Sequence, residues 1–131
     1  LRLYAVALLF VVGACTSAPI PEPLRGQWTP TSVGDCGDAG ETLDFSTRII
    51  RHTQGGRTNL FMIVKKVELR DGFTDIHYEP PAFMKDTPSG IFRFDHPAEG
   101  RMRAIGTVSP DGDFEPVVAA EIFDLVRCDL I

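Results

Sequence analysis

Apolar and polar positions alternate most regularly in "NLFMIVKKVELRDGFTDIHYEP", residues 59 to 80. Asp71 and Gly72 form a favoured two-residue turn within it, since Gly tolerates positive φ and Asp accepts it better than most residues. Pairing Arg70 with Phe73 across that turn sets Leu69 opposite Thr74, Val67 opposite Ile76 and Lys65 opposite Tyr78. One face then carries Val67, Leu69, Ile76 and Tyr78, and the other Lys66, Glu68, Arg70, Asp75 and His77. This is the signature of a half-buried antiparallel pair. The register places Glu68 against Asp75, a like-charge pair with Lys66, Arg70 and His77 around it.

Shorter runs repeat the theme. Strands are expected at 41–47, 48–52, 90–95 and 101–108, with a tight connection in "SPDGD", residues 109–113. The segment "VVAAEIFDLVRC" is double-edged, because Val118, Ile122 and Leu125 fit helical spacing while Phe123, Leu125 and Arg127 alternate. A strand over 121–128 is favoured, since it brings the end of the domain beside its first strand. With 12 Gly and 10 Pro there is little room for long helices. The expected fold is all-β, a small antiparallel barrel of about eight strands over residues 26–131.

The N-terminal region follows a different rule. Leu3 to Val12 is an apolar run of ten behind Arg2, too short for a permanent bilayer span, which takes roughly 20 residues, but suited to a signal peptide. It runs into "VGAC", Val12 to Cys15, which resembles the bacterial lipobox: an aliphatic residue, two small ones and a thiol. The resemblance implies diacylglycerol attachment at Cys15, removal of residues 1–14 and acylation of the new amino group. Stable anchoring takes more than one acyl chain, which that modification supplies. Thr16, rather than Asp, after the Cys implies transfer to the outer membrane, on its periplasmic side. Residues 15–25, with Pro19, Pro21 and Pro23, read as an extended tether.

With Cys15 assigned to lipid, Cys36 and Cys128 remain as an even pair in an oxidising compartment. A bond between them closes a loop of 128 − 36 = 92 residues, for which the chain-entropy model gives ~4.6 kcal/mol. A second resemblance lies at "LRGQW", Leu24 to Trp28, which looks like the Gly-x-Trp signature on the first strand of lipocalin-type (calycin) barrels. It implies that Trp28 plugs one barrel end under an Arg from the last strand, with Gly26, Trp28 and Arg127 as the matching positions. A guanidinium stacked on the indole face is the physical sense of that arrangement.

Charge and chemistry narrow the functions. A formal net charge of −5 argues against a general nucleic-acid binder. No Gly-x-Ser-x-Gly, His-Glu-x-x-His or phosphate-binding loop occurs, and His52, His77 and His96 fall in separate segments. "DGDFE", residues 111–115, lacks the ordered ligand series of a calcium loop. No metal, cofactor or catalytic residue is therefore expected. Cations concentrate between 48 and 70, with Arg48, Arg51, Lys65 and Lys66 among them. The Pro-stiffened loop 78–90 carries Phe83 and Met84, to be presented to a partner or folded over the barrel end.

These readings lead to a lipid-anchored envelope protein without catalytic activity, holding a protein or an envelope component. The alternatives are an inhibitor of a hydrolase, a protease or lysozyme, or a carrier of a small apolar ligand. A barrel closed by so few residues is expected to be nearly filled by its own side chains. A cavity near 300 Å³ therefore favours the carrier.

Overall fold

The computed structural model describes residues 19–84, 86, 88–117 and 123–131, with only the backbone of Leu60 and Phe123. The expected signal peptide, Cys15 and residues 118–122 lie outside the described residues.

The described residues form nine antiparallel strands: β1 (Gly26–Pro30), β2 (Glu41–Phe45), β3 (Ile49–Gln54), β4 (Arg57–Arg70), β5 (Phe73–Glu79), β6 (Gly90–Asp95), β7 (Arg101–Val108), β8 (Phe114–Pro116) and β9 (Phe123–Arg127). Neighbours pair in chain order from β1 to β7, β7 pairs β9, and β9 pairs β1. That ring is a closed eight-stranded barrel, onto which β8 adds beside the second half of β7. Closure leaves the ring without a free sheet edge, so its backbone ladder is satisfied internally.

The hairpin register reads as the alternation predicts from Arg70↔Phe73 to Lys66↔His77. It then shifts by one residue. A bulge between Val64 and Lys66 sets Val64, rather than Lys65, opposite Tyr78. The extra residue leaves both Lys65 and Lys66 exposed while Val64 on one side stays buried in the core. Lys65 then reaches Glu79 at 3.4 Å.

The like-charge pair Glu68↔Asp75 survives because each carboxylate has its own partner. Asp75 is almost wholly buried on the outer face and is gripped by Arg93 through two hydrogen bonds of 2.8 and 2.9 Å. Arg93 lies over the Phe73 ring at 4.1 Å, which shields the pair from water. The Arg93 hydrogen bonds hold the Asp75 carboxyl below its usual range, against an opposing effect of burial. Glu68 accepts a 2.6 Å bond from His77, which lowers its pKa.

Inside, Phe45, Ile50, Val64, Ile76, Phe94, Met102 and Leu125 form one apolar cluster with Trp28. Two further members come from outside the barrel proper. Ile20 is fully buried and Leu24 nearly so. Residues 20–24 are thus not the free tether that their prolines suggest. They cross the barrel end, fixed by Ile20 N–H to the Thr47 carbonyl at 3.1 Å and by a 3-10 turn at Glu22–Leu24. The prolines set an extended entry, and the Ile and Leu interspersed with and following them take it into the core.

Candidate functional site

Strand direction gives the barrel two unlike ends. One carries residues 19–25 and the turns at 46–48, 71–72 and 96–100. Here Trp28, 2% exposed, donates its indole N–H to the Leu24 carbonyl at 3.0 Å and meets the Phe45 ring at 6.3 Å. The register pairs Trp28 directly with Arg127, whose guanidinium lies 5.8 Å from the indole centroid and reaches the Pro23 carbonyl at 3.3 Å. Gly26 has φ +117°, a conformation L side chains rarely adopt, at the corner where the crossing segment enters β1. Gly26, Trp28 and Arg127 are thus brought together at one closed end.

Cys128 follows Arg127 directly and is bonded to Cys36 in the loop after β1, with Cα atoms 6.1 Å apart. Successive strand residues point to opposite faces. The Arg therefore curls over the rim at the indole while the next residue carries the sulfur to the neighbouring loop.

Between Trp28's neighbour Phe45 and the opposite end, the barrel holds a cavity of about 280 Å³. Residues of seven ring strands line it: Leu43 and Phe45 on β2, Ile50 on β3, Met62 on β4, Ile76 and Tyr78 on β5, Phe92 and Phe94 on β6, Ala104 and the backbone of Gly106 on β7, and Leu125 on β9, with Val117 beyond β8. Ala104, a small inward residue of β7 paired with Phe94, leaves room there, while Gly106 borders the space with its backbone only, a Cβ at that position being directed at Phe114 and the Glu115 carbonyl of β8. Among the described residues of this lining, Tyr78 is the one with a polar side-chain group.

The Tyr78 ring stacks on Phe92 at 4.7 Å, and a Cβ on Gly90 would come within 2.7 Å of the hydroxyl. Glycine at 90 is what lets the ring lie there. Burial raises the Tyr78 pKa, so at neutral pH the hydroxyl is a neutral donor and acceptor. An enclosure of this kind can take up an uncharged, apolar molecule and offer it one hydrogen bond.

The remaining candidates gather elsewhere. Phe83, 74% exposed, lies against Phe61 at 5.6 Å, with Met84 in the same short turn. Phe61 is outward on β4 and pairs with Arg51 on β3. The 81–84 turn therefore sits on the outer wall and does not fold over the barrel end. Arg48 neighbours Val64 through a backbone bond of 2.7 Å, beside Lys65 and Lys66. Arg51 and Phe83 thus both neighbour Phe61 on the outer wall, and Lys65 and Lys66 lie on β4 beside Glu79 and Glu68, whereas Arg48 belongs to the 46–48 turn at the plugged end.

The three histidines are apart, with His52 on Glu41 at 2.7 Å, His77 on Glu68, and His96 on the Thr74 hydroxyl at 2.7 Å. Ser109 and Asp113 close the "DGD" turn on each other. The cavity itself escaped sequence reasoning, although Ala104, a small residue at an inward position of β7, was its visible sign. No protein-family model, curated protein or solved structure matches the chain.

Proposed function

We propose that this chain is a lipid-anchored, non-catalytic binding protein of the bacterial envelope whose barrel takes up a small apolar molecule. The observation that carries the ligand reading is the 280 Å³ interior cavity, walled by apolar side chains around one tyrosine hydroxyl. It approaches the ~300 Å³ lower bound of ordinary ligand pockets. It is also about twice the ~150 Å³ of an apolar cavity known to accept benzene. The ligand is therefore two fused rings or an equivalent short chain, uncharged, with a hydroxyl or carbonyl for Tyr78.

Anchoring through acylated Cys15 on the periplasmic side of the outer membrane rests on "VGAC" and the apolar run before it. Cys15→Ser removes the thiol that accepts diacylglycerol. Loss of fatty-acid label in this variant supports the anchor, and undiminished label refutes it.

For the cavity the probe is 2-naphthol, titrated by its fluorescence into wild type and Ala104→Leu. About eleven heavy atoms at roughly 0.6 kcal/mol each correspond to a Kd of about 10 μM. The added leucine side chain occupies the space, so affinity falls at least tenfold while the fold is retained. Equal affinity in both proteins places the probe elsewhere and refutes the carrier reading.

A second reading, a protein partner, is favoured by the outer face where exposed Phe83 stands beside Arg51. An aromatic with neighbouring cations is the make-up of an interface anchor. Phe83→Ala together with Arg51→Ala abolishes recovery of such a partner from envelope extract under this reading, and unchanged recovery refutes it.

A further inference from the structure

We infer that the barrel stands with its plugged end against the bilayer, phospholipid headgroups entering the groove beneath Trp28, and its cavity directed away from the lipid. The inference rests on lipid attachment at Cys15.

Its basis is the length of free chain. Ile20 is fully buried and held on both sides, its N–H on the Thr47 carbonyl and its own carbonyl on Arg25 Nε at 2.9 Å. Between Cys15 and this fixed point there are five Cα steps, which span at most roughly 18 Å. A domain of this size has a radius of gyration of about 13 Å and hence, as a uniform sphere, a diameter of about 34 Å. The connection is half as long as the body it holds. It enters at the plugged end, so that end meets the membrane, and the turn at 109–113 is carried to the far side.

The surface presented there suits the headgroup layer. A groove of about 610 Å³ adjoins Trp28, with Pro21, Pro23 and Leu69 among its apolar lining and His96, Glu99, Arg101 and Arg127 among its polar lining. Leu69 faces inward by strand alternation, yet it lies beyond the last layer of the core and is 62% exposed. Leu130, 58% exposed, stands close by against Gly100. Leucines at this depth enter the acyl boundary, while guanidiniums with their five donors engage phosphate oxygens. Arg101 and Arg127 each also contact an aspartate, Asp124 and Asp129. Lipid phosphate therefore adds to these pairs and does not replace them.

The consequence is directional. Ligand reaches the cavity from the aqueous side, or from a partner facing it, and not by sliding up from the bilayer.

The test uses the full lipidated chain in vesicles of phosphatidylcholine and phosphatidylglycerol. Asp71→Cys and Asp111→Cys place one free thiol on an exposed turn at either end, since Cys36 and Cys128 are bonded to each other. Each is labelled with the same fluorophore, and quenching by headgroup-nitroxide lipid is measured. The inference predicts several-fold stronger quenching at 71 than at 111, and a weaker signal at 71 when Leu69→Glu is added. Equal or reversed quenching in protein that floats with the vesicles overturns the orientation alone. Quenching at 71 that is indifferent to Leu69→Glu overturns the groove contact. Protein that neither floats nor takes fatty-acid label overturns the anchor and the orientation together.

Discussion

Replacing Trp28 with alanine removes the single indole of the chain and opens the plugged end. The side chain is 2% exposed, so nearly all its apolar surface returns to water or faces a void. Buried Trp→Ala changes cost ~3 to 5 kcal/mol. The Leu24 carbonyl also loses its 3.0 Å donor, about 1 kcal/mol more if it stays dry. The groove below adjoins the indole, so water reaches the carbonyl and offsets that second loss. A net cost of about 4 kcal/mol follows, a large share of the ~5 to 15 kcal/mol that holds a domain folded. With a urea dependence near 1.5 kcal/mol per molar, the midpoint falls by roughly 2.5 M. Far-ultraviolet circular dichroism is the assay, because the variant has no tryptophan fluorescence. Trp28→Phe keeps a ring in the plug and loses only the indole N–H and part of the volume, so it costs about 1.5 kcal/mol. A Trp28→Ala midpoint equal to wild type refutes the plug.

Two further outcomes follow from the outer wall and the crosslink. Asp75→Asn leaves Arg93 without its anion and destabilises the barrel by about 3 kcal/mol at pH 7. The native Asp75 pKa is lowered, so its contribution is complete above the unfolded value near 4 and lost as pH falls through the folded one. The gap between wild type and variant therefore closes below about pH 4, and a gap constant down to pH 2 in urea titrations contradicts the assignment. Cys36→Ser with Cys128→Ser lowers stability by ~2 to 5 kcal/mol while the strand register is retained. Loss of the β1 to β9 cross-strand contacts by nuclear magnetic resonance would instead make the disulfide a condition of closure.

Local pattern made the ladder legible. The Asp71-Gly72 turn, the alternation on either side of it, and the runs at 41–47, 48–52, 90–95 and 101–108 each carry their geometry in neighbouring residues. The disulfide was legible from cysteine count, and closure from Arg127 preceding Cys128. The Lys65 bulge was less so, because alternation assumes a constant period and two adjacent lysines break it.

Misreading residues 20–24 as tether came from weighing three prolines above Ile20, which lies between two of them, and Leu24, which follows the last. Composition describes the backbone's options, whereas burial depends on a barrel end needing a cover. The cavity was least legible of all. It is a difference between barrel volume and inward side-chain volume, and Ala104 acquires meaning only when the ring that faces it is known. The outer Asp75–Arg93 pair was hidden likewise, since the two residues lie 18 positions apart on adjacent strands.

The central claim is that the interior of this barrel is a ligand site, and intermolecular nuclear Overhauser contacts from bound 2-naphthol test it most directly. With methyl-labelled protein, the account predicts contacts to Leu43, Met62 and Leu125, which meet only inside the cavity, and their loss in Ala104→Leu. Contacts confined to the outer wall around Phe61 and Phe83, or no contacts at saturating probe, contradict it.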